Sequence, residues 1–179
     1  MMDAFGVPYS IVPANINEKT IRDGNLKIQA EKIARAKAEN VLKGNDGIII
    51  AADTFGSFKG HILEKPQSLK EAREMLKLQS NRKCTMYTGF CYIDKANNIN
   101  YSNTAVSKYT FRKLSDEEIN KFVKNNPVLK WSAAFAPLDP YQVGFIDQIE
   151  GSMTGLMYGL PAEFLIPCLE KSGIKLFSK

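Results

Sequence analysis

Gly47-Ile48-Ile49-Ile50-Ala51-Ala52-Asp53-Thr54 is the stretch from which the rest of the 179-residue chain is read. Five apolar residues in a row, three of them β-branched, have the length of a strand. A run without polar alternation is the kind covered on both faces. An acidic residue at the exit of such a strand lies where open α/β sheets bind their ligands; Asp53 could equally open a turn before Gly56. Upstream, Leu26 to Leu42 reads as a helix, with Leu26, Ala30, Ile33, Lys37 and Val41 on one face and Gly44 as a stop. Downstream, Gly60-His61-Ile62-Leu63-Glu64 is strand-like. Gln67 to Leu78 reads as a helix with Ser68 as N-cap and Glu71 completing a capping box.

Further out, Cys84 to Asp94 and Asn100 to Arg112 read as two long strands joined at Lys95-Ala96-Asn97-Asn98. Ser115-Asp116-Glu117-Glu118 is a second capping box, opening a helix that ends near Asn126-Pro127. Tyr141 to Ile149 reads as a strand, and Leu160 to Lys171 as a helix with Pro161 in its first turn and Gly173 at its end. Tyr9 to Val12 reads as a short strand closed by Pro13. Strands alternating with helices make an α/β fold, and the length suits one domain over residues 1–179.

Composition narrows the function. With 24 Lys and Arg against 19 Asp and Glu, the net charge is +5, spread along the chain with no basic run longer than two. A solvated basic surface accounts for that, and so does a small polyanionic ligand such as a nucleotide; a nucleic-acid reader would cluster its charge. No apolar run approaches the roughly 18 residues of a membrane span, and Met1 to Gly6 is not a secretory leader. Three cysteines without Cys-x-x-Cys spacing and a single histidine, His61, suit a reducing cytoplasm and make neither a disulfide framework nor a zinc site.

Four side chains could carry chemistry beside Asp53. Lys37 is the charged member of an apolar helix face: either a snorkelling lysine with a buried stem or a cation aimed into a cleft. Lys65 has its backbone held by Pro66. Glu18 follows Asn15-Ile16-Asn17 in a polar loop, and Thr54 adjoins Asp53. Gly151 to Gly155 and Gly159-Leu160-Pro161 surround a helix start, where backbone N–H groups suit a phosphate, although the P-loop spacing is absent.

Taken in order, Pro13-Ala14-Asn15-Ile16-Asn17-Glu18, Ala36-Lys37-Ala38, Ala51-Ala52-Asp53-Thr54, Ile62-Leu63-Glu64-Lys65-Pro66, Tyr87-Thr88-Gly89, Glu150-Gly151-Ser152 and Gly159-Leu160-Pro161 resemble the Maf family of nucleoside triphosphate pyrophosphatases. The resemblance implies a mixed twisted sheet flanked by helices, like that of inosine triphosphatases, with two lobes around a cleft. It implies hydrolysis of a nucleoside triphosphate to the monophosphate and pyrophosphate with a divalent cation, Mg²⁺ or Mn²⁺. Asp53 then matches a general base or metal-proximal acid, Glu18 a second carboxylate for the metal, Lys37 and Lys65 triphosphate-binding cations, and Thr54 a selectivity position of the dTTP- and UTP-acting branch. A homodimer is implied by the resemblance alone.

The family's Ser-x-Ser-Pro-Arg-Arg loop and its strand have no counterpart here, so an open edge on an interior strand and weakened phosphate binding are expected. The family's Lys-Ala-Gly-x-Tyr appears as Trp131-Ser132-Ala133-Ala134-Phe135, and its following Gln as Leu138. A nucleotide-binding relative with impaired turnover is the competing reading.

Overall fold

The computed structural model describes residues 1–137 and 140–176; Leu138, where the resemblance expects a Gln, lies outside them. In chain order the described residues form α1 (Met2–Phe5), α2 (Leu26–Leu42), β1 (Ile48–Phe58), β2 (His61–Leu63), α3 (Leu69–Gln79), β3 (Lys83–Asp94), β4 (Ile99–Phe111), α4 (Asp116–Asn125), α5 (Pro140–Val143), β5 (Ile146–Gly151), α6 (Met153–Tyr158) and α7 (Ala162–Lys171). The five strands make one sheet in the order β2-β1-β3-β4-β5.

The α/β layering is as expected. Where a mixed sheet was expected, all four ladders among the described residues are antiparallel. The turns impose this. Lys59 and Gly60, both at positive φ, fold β1 directly back as β2, as the twist of a two-residue hairpin requires. Residues 95–98 do the same between β3 and β4.

Two expected strands change character. Residues 9–12 form no ladder among the described residues, and Ile11 is 85% exposed. Pro8 and Pro13 bracket the segment, and a proline has no N–H to give to a ladder. Residues 141–149 split: Pro140 opens the short helix α5, Gly144 N donates to Pro140 O, and only then does β5 begin. Pro at a first helical position explains that start. The box at Ser115 is complete, each partner bonding the other's backbone. At α3, Ser68 accepts from Glu71 N, but the Glu71 carboxylate reaches one residue further back, to Gln67 N at 2.7 Å, so the box is only half made.

β1 also departs from expectation. It runs to Phe58, so Asp53 stands in mid-strand rather than at its exit. Its residues are mostly half-buried instead of covered on both faces. The cause is the sheet edge. β3 pairs residues 48–57 on one side, but β2 pairs only residues 56–58 on the other. Residues 48–55 therefore carry no ladder on that edge among the described residues, and residues 48–52 line a hollow of about 880 Å³.

The core divides along the length of the strands. At one end Cys84, Met86, Tyr109 and Phe111 pack with α3 and α4. At the other, Phe90 and Tyr92 pack with α7 and the N-terminal residues, while Ile49 and Cys91 pack against α2. α2 lies unusually close to β3: a Cβ on Gly89 would sit 2.0 Å from Ala30 O. Only glycine allows that approach.

Candidate functional site

Gly89 is the ladder partner of Asp53 across β1 and β3. The close seating of α2 at Ala30 thus brings the helix down over Asp53, and Lys37, two turns further along, reaches the strand. Its Nζ donates to Asp53 Oδ1 at 2.7 Å and contacts Glu18 Oε1 at 2.8 Å. Glu18 comes from a single 3-10 turn, Glu18–Thr20, before α2. One ammonium therefore joins two carboxylates that lie 35 residues apart in sequence. The Asp53 and Lys37 side chains are only 11% and 19% exposed, whereas Glu18 is 49% exposed. Lys37 is a half-buried cation held by a carboxylate on each side.

Burial raises the Asp53 carboxyl above its ordinary value by more than the adjacent Lys37 charge lowers it; Glu18 adds to the rise. Burial works against the charge on Lys37, but Asp53 and Glu18 outweigh it and its pKa is raised. Asp53 is thus a carboxylate that takes a proton more readily than a surface aspartate, held beside a lysine that does not give one up.

A pocket of about 310 Å³ opens over this cluster. Lys19, Arg22, Lys37 and Lys65 line it, against Glu18, Asp53 and Glu64. Lys65 is exposed at its mouth and close enough to lower the Asp53 pKa. Glu18 and Lys37 also line the larger hollow under the open edge of β1, so the two hollows adjoin.

Thr54 stands apart from the cluster. Strand alternation turns its side chain to the other face of β1, where Thr54 Oγ1 donates to Thr88 Oγ1 at 3.2 Å and Thr88 Oγ1 donates to Gly155 O at 3.0 Å. Thr54 still lines the pocket at the strand edge. The glycines near α6 serve packing: a Cβ on Gly151 would lie 2.2 Å from Val106 O, and Ser152 caps the six-residue helix itself by accepting from Gly155 N. None of them lines the charged pocket. His61 is an exposed strand residue, and the three cysteines are buried and free.

The residue pattern alone did not single out Ser132 or Arg22. Ser132 Oγ accepts from Gly56 N at 3.0 Å and donates to Leu63 O at 2.5 Å, tying the pocket wall to β1 and β2. It is followed by Ala133 and Ala134, both at positive φ. Left-handed backbone costs a non-glycine residue about 1–2 kcal/mol, and such strain concentrates at functional sites. The signal was available: Ala133 occupies the position where the Lys-Ala-Gly-x-Tyr pattern carries glycine. Arg22 had no local signal, since its relation to the pocket is wholly tertiary.

An antiparallel sheet flanked by helices, with a lysine bridging two carboxylates in a cleft lined by both charges, defines the class as an α/β protein with a charged pocket on its sheet. The chain belongs to the Maf-like protein family, whose model matches residues 1–172. A dTTP/UTP pyrophosphatase of Caldicellulosiruptor saccharolyticus is 31% identical over 98% of this chain and 90% of its own length. One of Treponema denticola is 33% identical over 98% and 92%. A nucleoside triphosphate pyrophosphatase of a Synechococcus species is 30% identical over 98% and 89%.

Proposed function

We propose that this protein hydrolyses a nucleoside triphosphate, with dTTP, UTP or a modified nucleotide as substrate, to the monophosphate and pyrophosphate. The observation that carries the reading is the Glu18–Lys37–Asp53 cluster at the floor of a pocket with four cations. The names of the relatives support it. Water adds to the α-phosphorus, the bond from that phosphorus to the α–β bridging oxygen breaks, and pyrophosphate leaves with that oxygen. Asp53, which burial makes a stronger proton acceptor than a surface aspartate, accepts the proton of the attacking water as general base. Lys37 and Lys65 bind the phosphates. Thr54, on the far face but at the same strand edge, is the selectivity position.

A divalent cation belongs to the same proposal, and it would have to take the place of the Lys37 ammonium between Glu18 and Asp53. Two carboxylates converge on one point, now taken by the Lys37 ammonium, and Mg²⁺ commonly needs only one or two carboxylates when phosphates complete its shell. Among the described residues no third His, Cys, Asp or Glu joins them. Glu18 and Asp53 would hold Mg²⁺ or Mn²⁺, which supplies neutralisation of phosphate charge and a more acidic water. No helix among the described residues is long and apolar enough to cross a membrane. A cytoplasmic location and a homodimer belong to the same reading.

A panel of canonical and modified nucleoside triphosphates with Mg²⁺ or Mn²⁺, read out as pyrophosphate, tests this. Turnover should fall by about 10²-fold or more in Asp53→Asn if Asp53 is the base. Nucleotide binding without pyrophosphate release from any substrate would favour the impaired relative. A folded Asp53→Asn protein with full activity would remove Asp53 from the role.

A further inference from the structure

The charged pocket has a second pole that the chemistry above does not use. Gln29, on the first turn of α2, is 2% exposed and lines the pocket. Its Oε1 accepts from Asp23 N at 3.1 Å, which fixes which end of the amide is oxygen. Its Nε2 is then a buried donor with no partner among the described residues. A buried donor left unmade is costly and calls for an acceptor. Arg22 lines the same pocket. Its guanidinium touches Glu64 Oε1 at 3.3 Å, in a pair whose side chains are 50% and 56% exposed. Exposed ion pairs of this kind hold their partners weakly. Lys37, by contrast, is held by two carboxylates at 2.7 and 2.8 Å.

We propose that Arg22 and Gln29 bind an outer phosphate of the substrate, with Arg22 leaving Glu64 to do so and Gln29 Nε2 donating to a phosphate oxygen. This rests on the reading of the pocket as a triphosphate site and adds to it the residues that take the end of the chain away from Lys37. Arginine suits the task, since its fork matches two phosphate oxygens at once. Glu64 becomes a resting partner that competes with the ligand for the guanidinium.

That competition gives the idea a signature of opposite signs. If Arg22 and Glu64 were only a surface ion pair, removing either would break the same contact and have the same consequence. If Arg22 is a phosphate arm, Arg22→Gln weakens binding, whereas Glu64→Gln frees the arm and strengthens it. The measurement is calorimetric titration of inorganic tripolyphosphate in EDTA, together with KM and kcat for the best nucleoside triphosphate. Arg22→Gln should raise Kd and KM by about tenfold or more, the range of a lost charge-assisted hydrogen bond, with kcat changed less. Arg22→Lys should recover part of the loss. Glu64→Gln should lower Kd by up to about fivefold, the worth of an exposed pair. Gln29→Glu keeps an acceptor for Asp23 N but replaces the free donor, and should raise Kd about tenfold or more.

Melting temperatures identify any variant that has lost its fold, and Arg22→Lys and Glu64→Gln, both at exposed positions, still decide the case then. Shifts of the same sign in Arg22→Gln and Glu64→Gln, or unchanged binding in Gln29→Glu, would overturn the proposal; the second result would mean that an ordered water satisfies Nε2. A wild type that turns over nucleotide while all these variants match it defeats this inference alone. A wild type that neither binds tripolyphosphate nor releases pyrophosphate defeats the pyrophosphatase reading and this inference with it.

Discussion

Replacing Lys37 by methionine keeps the apolar stem and removes the charge that joins Glu18 to Asp53. Both carboxylate oxygens touch one nitrogen, at 2.8 and 2.7 Å, so they lie no further apart than about 5.5 Å, the sum of the two contacts. Two unit charges at that separation repel by about 3 kcal/mol at an effective dielectric constant of 20. Glu18 is half exposed, and solvent screening reduces the penalty to about 1.5 kcal/mol. For a chain of this size that is a drop in Tm of roughly 3–6 °C. A lysine that merely snorkelled would leave Tm unchanged or raise it.

The loss should depend on pH. Asp53 already has its pKa raised in the folded protein, and without Lys37 it rises further. A carboxyl whose folded pKa lies above its unfolded value binds more protons in the native state between the two. Its contribution to stability therefore falls as pH rises through that window. The Tm deficit of Lys37→Met should be widest near pH 8 and shrink toward about pH 5. Asp53→Asn on the same background should restore Tm at pH 8. Mg²⁺ should raise the Tm of Lys37→Met more than that of the wild type, because the point between the carboxylates is vacated. Calorimetric scans at the two pH values measure all of this. A Tm equal to wild type, or a deficit identical at pH 5 and pH 8, would refute the bridging role.

Two further outcomes follow from the fold. Gly89→Ala places a methyl 2.0 Å from Ala30 O, where backbone must move, and overpacking of this kind costs about 1–3 kcal/mol or more; scanning calorimetry should show a Tm fall of at least several degrees, and an unchanged Tm would show that α2 can shift freely. At the start of α4, Arg112 lies 2.6 Å from Glu118 and holds its carboxyl down at about 2, against an ordinary 4.5. Stability from Glu118 should be fully present above pH 4.5 and disappear as pH falls toward 2, so the Tm values of wild type and Glu118→Gln should converge over that interval; parallel curves down to pH 2 would contradict the pairing.

What could be read from sequence was what local chemistry determines. α2, α3 and the β3–β4 hairpin were legible because their periods and turn residues act within a few positions. The box at Ser115 was legible for the same reason, since both of its hydrogen bonds close within four residues. Residues 9–12 have strand composition, but a strand exists only with a partner, and composition does not supply one. Residues 141–149 were misread because Pro140 and Gly144 outweigh the apolar pattern between them. At the site, Asp53, Lys37, Lys65 and Glu18 each had a commonplace alternative, and only their order along the chain set them apart. That Lys37 joins Glu18 to Asp53, and that Thr54 turns to the other face, depends on how α2 sits on the sheet and where β1 ends.

The seating of α2 explains why a charge is tolerated in the middle of β1. A mid-strand aspartate on the helix-covered face of a sheet would ordinarily be buried without compensation, at a cost that favours its protonation. Two features of this fold prevent that. Gly89, opposite Asp53 in the ladder, has no side chain, so α2 settles against the sheet and delivers Lys37. On the other side of β1, β2 pairs only residues 56–58 among the described residues, and Asp53 lines a pocket. The first feature alone would make a sealed ion pair, stable and inert. The second alone would leave an ordinary solvated aspartate. Together they leave a carboxylate whose pKa burial raises, paired to a lysine and still lining a pocket, and the general-base role proposed above rests on that arrangement.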